Sequence, residues 1–164
     1  MTAPPALTLY LADAEATERL GQTVAPLLRA GDVLLLHGAI GAGKTHFARA
    51  VIQARLAATG RFEHVPSPTY TLVQTYDAGG AEIWHADLFR LGDADEIAEL
   101  GLEQAFDTAI CLVEWPGLLG ARAPQKALHM HFAPRGEGRE VTLRAAAARW
   151  APLLAALARK GQDA

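Results

Sequence analysis

Asparagine is missing from this chain, cysteine and serine occur once each, and lysine only three times. Without asparagine there is no N-K-x-D guanine-selecting motif, so any nucleotide site is expected to use ATP rather than GTP. The single cysteine, Cys111, permits no internal disulfide and no cysteine-rich metal site. Its apolar flanks, Ile110 and Leu112-Val113, mark it as a buried structural thiol. No run approaches the ~20 apolar residues that span a bilayer, and the most apolar tract, 145–158, is interrupted by Arg149 and suits an amphipathic helix. The first eleven residues lack a basic stretch followed by a long apolar one, so no secretory signal and no membrane partner are expected, and a cytoplasmic location is. A net charge of −3 disfavours autonomous nucleic-acid binding. What remains, 51% hydrophobic and 20% charged over 164 residues, suits one globular domain spanning 1–164.

Against that background one motif stands out. Residues 38–45 read Gly38-Ala39-Ile40-Gly41-Ala42-Gly43-Lys44-Thr45, the G-x-x-x-x-G-K-[ST] pattern of a phosphate-binding loop. An apolar β-type run, Val33-Leu34-Leu35-Leu36, precedes it, and apolar residues at helical spacing follow from Phe47 to Leu56. Strand, glycine loop and helix is the order the chemistry needs. The glycines let successive N–H groups turn inward, and the following helix adds the positive end of its dipole. Gly38, Gly41, Ala42, Gly43, Lys44, Thr45 and His46 are therefore the expected nucleotide-binding residues. Lys44 is placed for the β- and γ-phosphates and Thr45 for Mg²⁺.

The rest of the chain reads as α/β. A strand is expected at 7–10, an Asp13-capped helix over 14–29, the motif strand and its helix to about 58, and a hairpin of 69–76 with 83–89. Two short helices follow (93–100, 103–106), then a buried strand 110–113 ending at Glu114. A loop or short helical turn is expected at 117–124, then a second hairpin of 128–132 with 140–143, connected by 134–138. A C-terminal helix over 145–159 completes the chain, with the last few residues expected to fray. The hairpins imply a mixed sheet, so the expected fold is a P-loop NTPase-like three-layer sandwich with a central mixed sheet and β-hairpin additions.

Phosphate binding alone does not hydrolyse ATP; a metal-holding carboxylate and a way to position water are also required. Glu114 ends an apolar strand, as a Walker B acid does, and is the expected metal ligand beside Thr45. In Trp84-His85-Ala86-Asp87-Leu88-Phe89, strand alternation puts His85, Asp87 and Phe89 on one face. That pattern fits a metal or water-positioning site as well as a solvated face. Ser67, the only serine, sits between Pro66 and Pro68 in Ser67-Pro68-Thr69-Tyr70. Its hydroxyl and that of Thr69 fit either a γ-phosphate sensor or a plain proline turn.

Four motifs in one order, Gly38–Thr45, Ser67–Tyr70, His85–Leu91 and Glu114-Trp115-Pro116, resemble the bacterial TsaE (YjeE) family from about Leu7 to the second hairpin. The resemblance implies an ATPase of tRNA threonylcarbamoyladenosine synthesis that works with TsaB and TsaD and reaches tRNA only through that complex. Hydrolysis is thought to reset the complex between turnovers. It further implies Mg²⁺ held by Thr45 and Glu114, catalytic roles for Lys44, Asp87 and Glu114, a switch-like segment containing Ser67 and Thr69, and Trp115 beside the nucleotide. Three positions depart from the family pattern: Ala39 stands where Asp is common, His46 where a second Thr is common, and Phe89 where Tyr is frequent. Two other readings compete, a nucleotide-gated adaptor that does not hydrolyse and a small-molecule kinase. Scattered Arg90, Arg122 and Arg135, rather than a basic lid, weigh against the kinase. No arginine occupies an obvious finger position, so slow hydrolysis by the isolated chain is expected.

Overall fold

The computed structural model describes residues 6–163. Its organising element is β2 (Val33–His37), whose first four residues have nowhere to go but inward: Val33 to Leu36 are all buried. A strand apolar on both faces must be covered on both, and it sits inside a seven-stranded sheet of order β1-β7-β6-β2-β5-β4-β3. The other strands are β1 (Ala6–Leu11), β3 (Val73–Asp77), β4 (Glu82–Asp87), β5 (Ile110–Glu114), β6 (Leu128–Arg135) and β7 (Gly138–Arg144). The pairings β2–β5, β2–β6 and β4–β5 are parallel, while β1–β7, β6–β7 and β3–β4 are antiparallel. The sheet is mixed, as the two hairpins imply.

Side-chain alternation sorts the core into two clusters. Leu34 and Leu36 of β2 join α1 (Ala14–Val24), α2 (Lys44–Ala57) and α5 (Ala151–Asp163) on one face. Val33 and Leu35 join α3 (Ala94–Glu99) and α4 (Leu102–Thr108) on the other. Three layers result. Cys111 lies buried in the second cluster, where desolvation pushes its thiol up to about 12, so it is inert.

Several boundaries move from their expected places, each for a local reason. Helix α1 stops at Val24 instead of Arg29, because Pro26 lacks an N–H; a 3₁₀ turn, Ala25–Leu27, follows. Strand β3 begins at Val73 rather than Thr69. The Leu72 N–H donates to the Pro68 carbonyl (2.8 Å), closing a turn in which Leu72 has φ 70°. In the second hairpin only Gly136-Glu137 connects the strands, with Gly136 at φ 58°, so Pro134 lies inside β6. The β2 pairing of β6 has ended at His131, leaving no ladder bond on that side for a proline to break. The residues expected at 117–124 form a 3₁₀ segment, Pro116–Arg122. At the C-terminus, a 3₁₀ turn over Ala148–Trp150 comes before α5, because Pro152 fits only a first helical turn. Helix α5 then extends past Arg159 to Asp163, and the terminal Ala164, also expected to fray, lies outside the described residues. Arg149 is drawn away from the helix by a fork onto buried Asp32 (3.1 and 2.7 Å).

Helices α1 and α2 approach closely at Gly21. A Cβ there would lie 2.6 Å from Ala50 Cβ and 3.0 Å from the Phe47 carbonyl oxygen. Gly21→Val is therefore expected to destabilise the fold by about 2 kcal/mol through overpacking. Thermal unfolding should register this as a fall of about 4–8 °C in Tm. An unchanged Tm would mean that the helices separate freely.

Candidate functional site

The parallel register brings three strand ends to one edge. Leu36 of β2 and Asp87 of β4 both pair with Glu114 of β5. The C-terminal edge of a parallel sheet is where ligands of α/β proteins bind. The phosphate loop leaves β2 at this edge and enters α2 at Lys44.

Two glycines of the loop are required by geometry. Gly38 has φ 144°, and a Cβ there would meet the Phe132 carbonyl oxygen at 2.6 Å. Gly43 caps α2 with φ 107°, a left-handed conformation closed to most side chains. Ala42 is buried and Gly41 exposed. Lys44 is almost fully buried, and its Nζ donates to the Gly38 carbonyl (2.5 Å) while lying 3.4 Å from the centre of the Trp115 ring. Burial lowers the Lys44 pKa, and the charges of Glu114 and Asp87 oppose the shift. Trp115 reaches this position through a left-handed backbone, φ 55°, which costs a side-chain-bearing residue about 1–3 kcal/mol. Trp115 thereby makes a direct cation–π contact with the loop lysine.

Glu114 is the hub. It is buried; Oε1 accepts from the Thr45 hydroxyl (2.5 Å), and Oε2 lies 2.7 Å from His85 Nε2. His85 is fully buried and its Nδ1 has no partner, which assigns the proton to Nε2, facing the carboxylate. The alternative of a solvated face for His85 and Asp87 is therefore excluded: both are buried. Phe89, expected on the same face, lies beyond the end of β4, is exposed, and packs on Trp115 with ring centres 4.7 Å apart. Thr45 and Glu114 offer a hydroxyl and a carboxylate oxygen side by side. Hard oxygen donors of this kind suit Mg²⁺.

Asp87 connects this hub to the serine-proline segment. One of its carboxylate oxygens accepts from the Phe89 N–H (2.9 Å), and the other accepts a long hydrogen bond from the Thr69 hydroxyl (3.4 Å). Ser67 Oγ and Thr69 Oγ1 are 2.8 Å apart. Ser67, Thr69 and Asp87 thus form one chain of oxygens beside the loop.

His46, expected among the nucleotide-binding residues, sits at the start of α2 beside the loop. Its Nε2 lies 3.0 Å from the Ala14 carbonyl oxygen, which ties the loop helix to the start of α1. Its ring lines a cavity of about 260 Å³ beside the loop, together with Asp13, Thr17, Gly41, Gly43 and Arg139. Arg139 was not legible as a site residue. It comes from β7, and its guanidinium donates to the carbonyls of Gly41 (3.0 Å) and Gly138 (3.1 Å). No motif in the sequence links position 139 to the loop; only the hairpin register brings it there. Ala39 is exposed. Arg122 and Arg135 are engaged with Glu103 (3.4 Å) and Glu140 (3.6 Å), and Arg90 lies over the Tyr70 ring, so the three do not converge.

A mixed α/β sheet with a glycine loop between its central strand and helix, and a buried strand-end glutamate on the loop threonine, defines a phosphate-loop protein. The chain belongs to the TsaE family: the profile described as threonylcarbamoyl adenosine biosynthesis protein TsaE matches residues 11–141. The tRNA threonylcarbamoyladenosine biosynthesis protein TsaE of Bacillus subtilis is 34% identical over 147 residues, covering 88% of this chain and 89% of that protein. Its namesake in Rickettsia felis is 39% identical over 111 residues, covering 68% of this chain and 63% of the relative. The Rickettsia conorii protein, 40% identical, is covered over 58% of its length. The chain therefore spans about three fifths of those two relatives. The crystal structure of Bacillus subtilis YdiB superposes with a TM-score of 0.79 at 26% identity, covering 98% of this chain and 99% of that one. Among the described residues no helix is long and apolar enough to cross a membrane.

Proposed function

We propose that this chain is a Mg²⁺-dependent ATPase of tRNA threonylcarbamoyladenosine synthesis, one domain acting in the cytoplasm, which binds TsaB and TsaD and uses hydrolysis to reset their complex. It meets tRNA only through that complex. The observation that carries the reading is the junction of Thr45, Glu114 and His85 directly beside Lys44. Family membership supports the pathway, and the partners are those the family resemblance implies.

The residues divide the work as follows. The N–H groups of Gly41 to Thr45 and the α2 dipole receive the phosphates. Lys44 exchanges the Gly38 carbonyl for β- and γ-phosphate oxygens, and its desolvated ammonium interacts strongly there. The cavity beside His46 takes the remainder of the nucleotide. Mg²⁺, when bound by Thr45 and Glu114, neutralises charge on the transferring phosphoryl group. His85 holds the second oxygen of Glu114 and so orients the carboxylate. Asp87 holds the attacking water, and the Thr69 and Ser67 hydroxyls make that position sensitive to the γ-phosphate.

Turnover by the isolated chain is expected to be slow. The arginine nearest the loop, Arg139, is engaged by two main-chain carbonyls, and a finger arginine is worth about 10³–10⁵ in rate. Phosphate release should be measured with Mg²⁺-ATP, with and without purified TsaB–TsaD from the same source. Stimulation by the pair is the expected result. ATP binding without hydrolysis in either condition would replace the ATPase by a nucleotide-gated adaptor.

A further inference from the structure

The two halves of the sheet differ on one face. The apolar cluster containing α3 and α4 extends from β4 to β2 but takes no side chain from β6, β7 or β1. On that face β6 presents His129 and His131, and β2 ends with His37, which follows Val33 and Leu35 in the alternation. The parallel register sets His37 opposite His131 and Leu35 opposite His129. Three imidazoles from two adjacent strands thereby converge. Each contributes a ring nitrogen, and the three nitrogens lie within 4.8 Å of one another. His37 Nε2 and His129 Nδ1 are 3.0 Å apart, and the rings of His37 and His131 stack with centres 4.3 Å apart.

We propose that His37, His129 and His131 form a binding site for a divalent transition-metal ion of the zinc class, separate from the Thr45–Glu114 pair. Three nitrogens on a tetrahedral zinc at 2.0–2.1 Å stand roughly 3.3 Å apart. Strand pairing holds the backbones of β2 and β6 in register, so closing to that spacing is a matter of side-chain rotation in the proposed site. The donor set selects the metal. Three imidazoles without a carboxylate suit zinc, cobalt, nickel or copper and do not suit magnesium or calcium. Two cationic side chains bear on the cluster, Lys44 on His37 and Arg144 on His131. They disfavour an ion held by charge alone and leave one held by nitrogen donation. Desolvation is the first cause that lowers the pKa of each histidine, His37 to about 4. His37 and His131 are half-buried and exposed respectively, which leaves the fourth coordination position toward solvent.

The position gives such a metal a consequence. His37 immediately precedes Gly38, whose carbonyl accepts from Lys44. An ion on His37 ties β6 to the root of the phosphate loop. The sequence signal is the His129-x-His131 alternation, which is incomplete without the strand order that supplies His37.

The test is a titration of the metal-free full chain with Co²⁺ in a large excess of Mg²⁺, followed by visible absorption. One equivalent with the intense bands of four-coordinate cobalt, displaced by Zn²⁺, is expected. Substituting the exposed ligand, His131→Ala, should abolish those bands while the metal-free Tm stays at the wild-type value. His131→Asn, which keeps a polar exposed side chain, should do the same and serves if the alanine variant folds poorly. Zn²⁺ should raise Tm in the wild type and not in either variant. No stoichiometric cobalt in the wild type, or unaltered bands in the variants, would overturn the proposal.

Discussion

Lys44→Ala is expected to lower ATP turnover by about 10²–10³ while leaving the fold intact. Removing one well-placed group that stabilises developing charge costs about 3–4 kcal/mol of barrier, and Lys44 is the only cation among the described residues that touches both the loop and the Trp115 ring. The stability cost should be small, because two effects oppose each other. Alanine gives up the bond to Gly38 and the contact with Trp115, but it also removes a nearly buried ammonium that burial already disfavours. Single-turnover hydrolysis, together with a thermal unfolding curve, reads both. Wild-type turnover in a folded variant would remove Lys44 from the catalytic assignment.

Glu114→Gln is expected to have an effect of similar size, for a different reason. The substitution keeps the shape and one carbonyl acceptor while removing the negative charge that pairs with Thr45 in holding Mg²⁺. Hydrolysis should fall by about 10²–10³ at ordinary Mg²⁺, with recovery, if any, only at much higher concentrations. Glutamine is the informative choice over alanine. Glu114 is buried and accepts from both Thr45 and His85, so truncation would strand two donors at about 1–3 kcal/mol each and confuse a catalytic loss with a folding loss. An activity profile against Mg²⁺ identical to wild type, with normal unfolding, would show that the carboxylate is structural.

His85 carries a lesson about burial. Its spacing two residues before Asp87 suits an exposed polar face as well as a site, and nothing in the hexapeptide chooses between them. The choice is made by β5, which pairs with β4 in parallel register, puts His85 opposite Leu112 and supplies Glu114 as a partner. A fully buried imidazole with one free nitrogen is tolerable only because the other nitrogen is satisfied by a carboxylate. His46 shows the reverse case. Its place after Thr45 is legible in the sequence, whereas its contact with the Ala14 carbonyl is supplied only by α1 packing across α2.

The chain by itself determined whatever depends on neighbours in sequence. The phosphate loop is eight consecutive residues, and its glycines, lysine and flanking apolar runs dictate strand, turn and helix locally. The α/β class, the two hairpins and the inertness of Cys111 follow from periodicity and composition in the same way. The tertiary structure alone decided which distant residues meet. Thr45 reaches Glu114 across 69 positions, Arg139 reaches Gly41 across 98, and His37 reaches His129 across 92. Each of these contacts is set by strand order and register, which arise from burying two faces of one sheet at once, and a one-residue slip of its strand would turn Glu114, Arg139, His37 or His129 to the opposite face.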